Sequence, residues 1–393
     1  MFKQLTEAQP DPILSLSQMF RDDTRSEKMD LGIGVYRNSH GETPIMQAVF
    51  QAEQRLLETQ KTKAYVGLAG DEVFNQAMMD LLIKDTSAYG RAAAVQTPGA
   101  SGALRMLADL MYLAQPDTTV WISNPSYVNH KPVMEAAGLK VKFYPYFDTA
   151  TKQVNSEAML AELAKAGPKD VVLLHGCCHN PTGADISFDD WKAITALANK
   201  NGFLPFVDIA YQGFGDGLEQ DAAGLRHLAD NVEEMIVATS CSKNFGLYRE
   251  RTGAAIVISD SLKEAQKSKG RILQLARASY TMPPDHGAAL VATVLNDASL
   301  TTTWKSELTE MNQRLRRLRA GLTQAVRDNG SDAFDFIEKH KGMFSVTGLS
   351  QEQIIQLRNE FGIYAVGDGR INIAGLQEQK LDYLAKALLS VSR

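Results

Sequence analysis

The sequence predicts an α/β fold in which a mostly parallel sheet is covered by helices, accompanied by a second, smaller domain. Short apolar runs alternate with helical patterns from about residue 95 to residue 260, and the runs are TVWIS, KVKFYPY, VVLLHG, FLPFVDIA, MIVATS and GAAIVIS. Such alternation is typical of parallel strands joined by helices. A chain of 393 residues also exceeds one ordinary core, which favours two domains.

The C-terminal third has a different pattern and predicts the second domain. One apolar stripe recurs every three or four residues and indicates a long helix that ends near Asn329 and Gly330; it consists of Trp304, Leu308, Met311, Leu315, Leu318 and Leu322. Two strand-like pieces, GMFSVTGL and RINIAG, and two helical segments complete this part of the chain. We expect the N-terminal forty or so residues to join this domain.

Composition and charge exclude several classes of protein. Hydrophobic residues make up 44% and charged residues 22%, as in ordinary globular chains, and the net charge of -5 does not favour polyanion binding. The start, MFKQLTEAQPDPIL, lacks the pattern of a secretion signal, and no run has the length and apolarity of a membrane span. Three poorly spaced cysteines do not form a disulfide framework. We therefore expect a cytoplasmic protein with no nucleic-acid and no membrane partner.

One strand-to-helix turn is a candidate phosphate site. The segment VQTPGASGAL places Gly99, Ala100, Ser101 and Gly102 between a short strand and a helix, where free backbone N-H groups can hold a phosphate. The segment has neither the Walker pattern nor GxGxxG, so by itself it is more typical of a plain turn.

Two Asn-Pro steps also follow apolar runs. Asn180 and Pro181 follow one run, while Asn124 and Pro125 with Tyr127 follow another, and each step alone is typical of a structural turn.

Four neighbouring residues resemble metal ligands; they are His175, Cys177, Cys178 and His179. However, adjacent strand residues point to opposite faces, and no second ligand group has zinc spacing. We expect no metal.

The segment FLPFVDIAYQGFG carries Asp208 at the end of an apolar run, where a buried carboxylate requires a cationic partner. The next run ends in SCSKNFGLYRERTG, which supplies Ser240, Ser242, Lys243 and Arg251. An isolated lysine of this kind is most often a solvated loop residue. In combination with the phosphate turn and Asp208, however, these residues match a pyridoxal 5'-phosphate pocket.

In such a pocket each residue type has a chemical task. The phosphate lies at the helix N-terminus and receives charge-assisted bonds from Arg251, with Ser240 and Ser242 beside it. Asp208 keeps the pyridine nitrogen protonated, so that the ring remains an electron sink. Tyr211, three residues further on, can hydrogen-bond the phenolic oxygen of the ring.

The chain resembles the fold type I, class I aminotransferases, in the aspartate and aromatic amino-acid group. The resemblance extends from DPIL to GRINIAG and includes LGIGVYR, HGCCHNPTG, DIAYQGF and SKNFGLYRER. It implies a large domain over residues 45–309 with a seven-stranded, mostly parallel sheet, and a smaller α/β domain from residues 12–44 and 310–393. It also implies a homodimer with shared active sites, in which residues 1–11 form an arm that contacts the partner subunit.

The resemblance assigns a role to individual residues. Lys243 is the Schiff-base lysine and proton shuttle, Asp208 the pyridinium partner supported by His130, and Asn180 and Tyr211 the ligands of the phenolic oxygen. The phosphate ligands are Ser101, Ser240, Ser242 and Arg251, with Tyr65 reaching the neighbouring subunit's cofactor. Arg370 binds the substrate α-carboxylate with backbone contact from Gly34, and Arg277 crosses the dimer interface to the distal carboxylate. From the residues alone, both arginines would be predicted at the surface.

Several positions depart from the family pattern and bear on the substrate. Tyr127 stands where a tryptophan usually stacks on the cofactor, and Ala100 replaces a glycine in the phosphate turn, which requires a negative φ. Ser101 replaces a threonine, while Ser279 and Met282 replace asparagines near the distal carboxylate. Because a less polar pocket favours aromatic side chains, we predict an enzyme that uses aspartate, glutamate and aromatic amino acids; the alternative is a strict aspartate aminotransferase.

Other classes of function fit the sequence less well. A non-enzymatic pyridoxal phosphate-binding regulator would need a DNA-binding module, and we expect none because the resemblance begins within about a dozen residues of the start. A decarboxylase or β-lyase would share the cofactor site, but paired Arg277 and Arg370 favour cleavage of the Cα-H bond. The basic run RLRRLR at residues 314–319 is interpreted as a solvated helix face.

Overall fold

The computed structural model describes residues 1–8 and 10–392. Contacts divide the chain into two compact units. The larger unit comprises Pro44–Arg314 with His340–Gly342, and the smaller unit comprises Met1–Thr43, Leu315–Lys339 and Met343–Arg393. The domain boundaries at residues 45 and 309 stay a prediction.

The strands are numbered along the chain. They are β1 (Met29–Asp30), β2 (Ala92–Pro98), β3 (Thr119–Asn124), β4 (Lys140–Pro145), β5 (Phe147–Asp148), β6 (Gln153–Val154), β7 (Asp170–His175), β8 (Leu204–Ile209), β9 (Met235–Ser240), β10 (Thr252–Ile258), β11 (Phe344–Val346), β12 (Ile363–Tyr364) and β13 (Arg370–Asn372).

The α-helices are numbered in the same way. They are α1 (Pro12–Asp22), α2 (Gln47–Thr59), α3 (Glu72–Ile83), α4 (Gly99–Ala114), α5 (His130–Ala136), α6 (Ser156–Leu163), α7 (Phe188–Asn201), α8 (Leu218–Asp221), α9 (Ala223–Asn231), α10 (Leu262–Ser279), α11 (His286–Leu295), α12 (Ala298–Asp328), α13 (Phe336–Lys339), α14 (Gln351–Phe361) and α15 (Leu381–Val391). Short 3-10 helices lie at Phe2–Gln4, Tyr89–Arg91, Ile373–Gly375 and Glu378–Lys380.

The larger unit is built on a seven-stranded sheet with the order β2-β10-β9-β8-β7-β3-β4. The neighbours from β9 to β4 pair in parallel, whereas β10 is antiparallel to both β9 and β2. The central strands β8 and β9 are buried along nearly their whole length because helices cover both faces. The predicted α/β fold with a mostly parallel seven-stranded sheet is confirmed.

Helices and strands of the larger unit share one apolar core. It includes Leu104 and Leu107 of α4, Val120 of β3, Phe206 of β8 and Ala255 of β10, and each is at most 1% exposed. This core fixes where the strands end, so the residues that follow the strands are held at defined positions.

The predicted C-terminal helix is α12, and all six residues of its apolar stripe are buried. The interpretation of RLRRLR as a solvated face is wrong for two of its arginines, since Arg314 is 6% and Arg319 is 3% exposed. Within the smaller unit, Arg319 donates to the carbonyl oxygens of Ile337 and Phe344 at 3.0 and 2.7 Å. Arg319 therefore supplies hydrogen-bond donors to two main-chain carbonyl groups, and the sequence around Arg319 does not show that these groups lie nearby.

The smaller unit has two short sheets. Within it β1 pairs in parallel with β12, and β11 pairs antiparallel with β13. In the part of the chain that the structure describes, no helix combines the length and the apolarity of a membrane span.

Candidate active site

Asp208 is the centre of the candidate site in the larger unit. It is the fifth residue of β8 and is 7% exposed, and its Oδ2 lies 2.8 Å from Nε2 of His130 at the start of α5. A carboxylate can only accept, so Nε2 of His130 donates this bond. The predicted support of Asp208 by His130 is thus present as a direct hydrogen bond.

A buried polar chain continues from His130. The Ser126 hydroxyl lies 2.9 Å from Nδ1 of His130 and 3.3 Å from Nε2 of His175. The Ser126 hydroxyl thus links His130 to His175, and it can both donate and accept, so it serves either tautomer of the two rings. Burial, assisted by the charge of His130, lowers the pKa of His175 to about 3, so His175 is neutral. Ser126 was not predicted from the sequence, although its spacing of four residues from His130 was an available signal.

The carboxylate of Asp208 is charged, and one of its two oxygens can still accept a hydrogen bond. Burial raises its pKa, but the hydrogen bond and charge of His130, together with the charge of Lys243, outweigh burial and hold the pKa below its usual value. Its Oδ1 is buried and has no hydrogen-bond partner among residues 1–8 and 10–392. A buried anionic acceptor without a donor fits a protonated ring nitrogen of a ligand.

Lys243 lies in the turn after β9, close to the same strand ends. Its Nζ is 4.8 Å from the centroid of the Tyr211 ring. Burial lowers the pKa of Lys243 to about 8, with Asp208 opposing and the Arg251 charge adding to this shift. A substantial fraction of the amine is therefore neutral near pH 8, as a nucleophile or proton acceptor requires.

The start of α4 has the geometry expected of a phosphate site. Its N-cap, Pro98, makes no side-chain capping bond, which leaves the first N-H groups of a 16-residue helix for a ligand. Gly99 has φ +67°, and a Cβ there would lie 2.7 Å from the Arg251 guanidinium. Ala100 is not among the positive-φ residues, so its replacement of a glycine is tolerated. Arg251 Nη1 also donates to Ser242 Oγ at 3.4 Å.

Several other predicted residues of this unit lie at the same sheet edge. Asn180 is 5% and Tyr211 7% exposed, and they follow β7 and β8, while Ser240 ends β9. Ser240 Oγ accepts from the backbone N-H of Ser242 at 3.1 Å. Tyr127 is half-buried, packs edge-on against His130 with ring centroids 5.3 Å apart, and accepts a bond from Asn129 at 3.2 Å. Ser101 lies half-buried in the first turn of α4.

The cysteine pair near Asn180 has a different environment. Cys177, Cys178 and Asp221 bring one sulfur or oxygen each within 4.8 Å of the others. The Cys178 thiol and burial affect the pKa of Cys177 in opposite directions, and the pKa rises to about 12. The Asp221 oxygens accept the backbone N-H groups of Gly213, Gly215 and Asp216. Protonated thiols and an occupied carboxylate are poor metal ligands, so the absence of a metal stays our prediction.

In the smaller unit, Arg370 and Gly34 share an aromatic neighbour. The guanidinium carbon of Arg370 lies 4.6 Å from the centroid of the Phe344 ring, and a Cβ on Gly34 would be 3.0 Å from the same ring. Arg370 is 5% exposed and donates to the Gly32 carbonyl at 3.4 Å. The prediction of a surface arginine from residue type alone is therefore wrong for Arg370, and Phe344 is a residue that the sequence analysis missed.

Two predicted residues lie at the surface of the larger unit. Tyr65 is 92% exposed, and Arg277 is exposed in the last turn of α10. Ser279 ends the same helix and is exposed, whereas Met282 beyond it is half-buried.

A lysine of lowered pKa, an aspartate with an unpaired inward oxygen and an uncapped helix N-terminus beside an arginine define a pyridoxal phosphate enzyme. Residues 26–388 match the family described as aminotransferase class I and II, and the chain belongs to that family. Pyridoxal phosphate is its cofactor, as predicted.

Full-length relatives agree with this assignment. The chain is similar to an aromatic-amino-acid aminotransferase of Paracoccus denitrificans, with 47% identity over 100% of both chains. It is 44% identical to an aspartate aminotransferase of Escherichia coli strain K12, again over 100% of both. A solved aromatic-amino-acid aminotransferase of Burkholderia pseudomallei, covalently bound to pyridoxal phosphate, has a TM-score of 0.97 and 40% identity over 100% of both chains.

Proposed function

We propose that the protein moves the α-amino group of L-aspartate or of an aromatic L-amino acid to 2-oxoglutarate by a ping-pong mechanism. The observation that carries the proposal is the arrangement of Asp208, His130 and Lys243 at one sheet edge. It combines a fixed anion for a ring nitrogen with an amine of lowered pKa, and transamination needs both.

The residues divide the chemistry as follows. Pyridoxal phosphate, when bound, supplies a ring that accepts the electron pair left at the substrate Cα. Asp208 keeps a proton on the ring nitrogen because it is charged and His130 holds it in place. Lys243 binds the cofactor and afterwards moves the Cα proton, for which its pKa of about 8 is suitable. Asn180 and Tyr211 would hydrogen-bond the phenolic oxygen of the cofactor, and Tyr127 would contact its ring.

The phosphate ligands follow from charge and from the helix N-terminus. Arg251 brings a guanidinium to Gly99, and Ser242 lies within 3.4 Å of that guanidinium. Ser101 and Ser240 add hydroxyl groups at the same edge. A bound dianion benefits from both the guanidinium and the free N-H groups of α4.

Substrate carboxylates require guanidinium groups. We propose that Arg370 binds the α-carboxylate, supported by its burial and by the Phe344 ring against it, with backbone contact at Gly34. Arg277 binds the distal carboxylate of a dicarboxylic substrate. The less polar surroundings at Ser279 and Met282 favour acceptance of aromatic side chains as well.

The test is a half-reaction spectrum of the purified protein. Mixing it separately with L-aspartate and with L-phenylalanine converts the absorbance of the aldehyde form of the cofactor to that of the amine form in both samples. Conversion with aspartate alone indicates a strict aspartate aminotransferase. Failure with both amino acids contradicts the proposed substrates.

We further propose a homodimer in which Arg277 and Tyr65 complete the active site of the partner subunit. Exposed apolar side chains cluster in one stretch of the larger unit and support an interface; they are Ile45, Phe50, Leu57, Tyr65 and Val73. Phe2 and Leu5 are 78% and 74% exposed, which suits an arm that contacts a partner.

Hybrid dimers test this arrangement. Lys243→Ala and Arg277→Leu homodimers are both expected to react poorly with aspartate. If Arg277 acts across the interface, a Lys243→Ala subunit paired with an Arg277→Leu subunit has one intact site, and mixing restores activity. No restoration, with hybrid formation shown by mass spectrometry, contradicts a shared site.

The three buried free cysteines support the cytoplasm as the proposed location.

A further inference from the structure

One face of α12 contacts both loops that carry the proposed catalytic groups. Trp304, Leu308 and Asn312 are spaced four residues apart, so they lie on one side of the helix over two turns. All three belong to the larger unit and are at most 7% exposed. We call them the α12 contact face.

Trp304 holds the turn that contains Lys243. Its indole N-H donates to the main-chain carbonyl of Asn244 at 2.7 Å. Its ring stacks on Phe245, with centroids 4.5 Å apart and planes at 7°. The two residues that directly follow Lys243 are therefore fixed in position and orientation by one fully buried side chain.

Leu308 and Asn312 hold the loop that follows β8 and carries Tyr211. Asn312 Nδ2 donates to the carbonyl oxygens of Gly213 and Gly215 at 3.0 and 2.8 Å. Gly213 has φ +98°, and a Cβ there would lie 2.4 Å from a methyl carbon of Leu308. The loop thus lies directly on the helix, two residues beyond Tyr211.

We infer that the α12 contact face sets the position of Lys243 relative to Tyr211, with Trp304 and Asn312 as positioning residues. The two loops meet where Nζ of Lys243 lies 4.8 Å from the Tyr211 ring centroid. Each loop is anchored to the same rigid helix, so a change at either anchor alters the separation of the two groups. Catalysis responds steeply to such changes, since a displacement of about 1 Å can lower a rate about 10²-fold.

The inference rests on the proposed function and predicts a specific kinetic effect. Trp304→Phe keeps a ring for Phe245 but removes the donor to Asn244. Asn312→Leu keeps the side-chain size and removes both donors to the loop of Tyr211. We expect each change to lower kcat about tenfold while KM changes less than about threefold, because the substrate carboxylates are bound elsewhere.

The experiment uses the holoenzyme and includes a matched control. The control is Leu300→Ala, which removes a fully buried side chain one turn before Trp304 on the same helix. For each protein, kcat and KM with L-aspartate, the pH midpoint of the visible absorbance of the bound cofactor, and the thermal unfolding temperature are measured. We expect the two positioning variants to shift the pH midpoint of the absorbance. The control is expected to lower the unfolding temperature but to leave the pH midpoint unchanged.

Each result decides the question. If Trp304→Phe and Asn312→Leu change kcat and the midpoint no more than Leu300→Ala does at a comparable loss of thermal stability, the two residues are merely structural and the inference is wrong. Should Trp304→Phe fail to fold, Asn312→Leu decides it. If the unaltered protein shows neither the absorbance nor the reaction with aspartate, the proposed function has failed, which is a separate outcome.

Discussion

Asp208 and Asp221 are buried carboxylates, 7% and 6% exposed, in two adjoining regions of the larger unit, yet their pKa values are shifted in opposite directions. The pKa of Asp208 is lowered despite burial, because His130 donates to it and positive charge lies nearby. The pKa of Asp221 is raised to about 6, since burial outweighs three backbone N-H donors and Asp185 adds like charge.

The difference shows what keeps a buried carboxylate ionised. Asp221 has more hydrogen bonds than Asp208, but its donors are neutral amides and its neighbours are Asp185 and protonated thiols. The Asp208 carboxylate accepts its hydrogen bond from His130, a side chain that can carry charge, and Lys243 is close by. We conclude that the Asp208 region is organised to hold a negative charge and the Asp221 region to hold a loop.

The largest expected effect separates the two aspartates by activity. Asp208→Asn removes the negative charge that we propose keeps a proton on the ring nitrogen, and we expect kcat/KM for L-aspartate to fall about 10³-fold. Asp221→Asn is the matched control and is expected to retain activity within about tenfold per folded molecule. Steady-state kinetics on both variants checks this; equal losses would remove the distinction between the two regions.

The second prediction concerns stability and pH at Asp221. Its folded pKa of about 6 lies above the usual 3.8, so folding takes up a proton between these values and its ionised form opposes folding above pH 6. Acidification from pH 6 to 4 therefore relieves a cost of up to about 3 kcal/mol. Asp221→Asn should lose stability more steeply than the unaltered protein over this range, and the free energy of unfolding in urea measures it. Parallel profiles would contradict the raised pKa.

Lys243 gives a third and smaller effect, measured on cofactor-free protein. Its pKa is lowered from 10.5 to about 8, so its charged form opposes folding fully below pH 8 and ceases to do so as pH rises towards 10.5. Lys243→Met should then stabilise the protein by about 1–2 kcal/mol at pH 7, a figure reduced for partial exposure. The gain should narrow at pH 10. A constant gain would mean that it comes from packing and not from the charge.

The smallest expected effect tests the polar chain behind Asp208. Ser126→Ala removes the hydroxyl between His175 and His130 but leaves the bond from His130 to Asp208. We expect kcat to fall about threefold, equivalent to about 0.7 kcal/mol, which is the usual range for one neutral hydrogen bond. A loss as large as that of Asp208→Asn would show that the orientation of His130 depends wholly on Ser126.

Much of the larger unit could be predicted because parallel strands bring their carboxyl ends to one edge. Asp208, Lys243 and Gly99 each lie at or directly after a strand, so local patterns placed them together. The apolar stripe of α12 was equally predictable, since its helical periodicity repeats from Trp304 to Leu322.

What the sequence could not reveal depends on pairs that are distant along the chain. The contact of Phe344 with Arg370, and the bonds from Arg319 to carbonyl groups, arise from tertiary packing. A basic run with interleaved leucines is predicted to face solvent, because residue type gives no information on main-chain carbonyl groups nearby that still need a hydrogen-bond donor. The role of Ser126 as a link is hidden in a similar way, because its second partner, His175, lies 49 residues further along the chain.

The reversal of one strand has a practical consequence for protein engineering. Because β10 runs antiparallel to β9, the end of β9 at Ser240 and the start of β10 at Thr252 lie at the same edge of the sheet and are joined by a short loop. Lys243 and Arg251 thus lie in a single hairpin connection, although their proposed roles differ, with Lys243 as the reactive amine and Arg251 as a phosphate ligand. Lengthening that connection would therefore alter the placement of both residues at once.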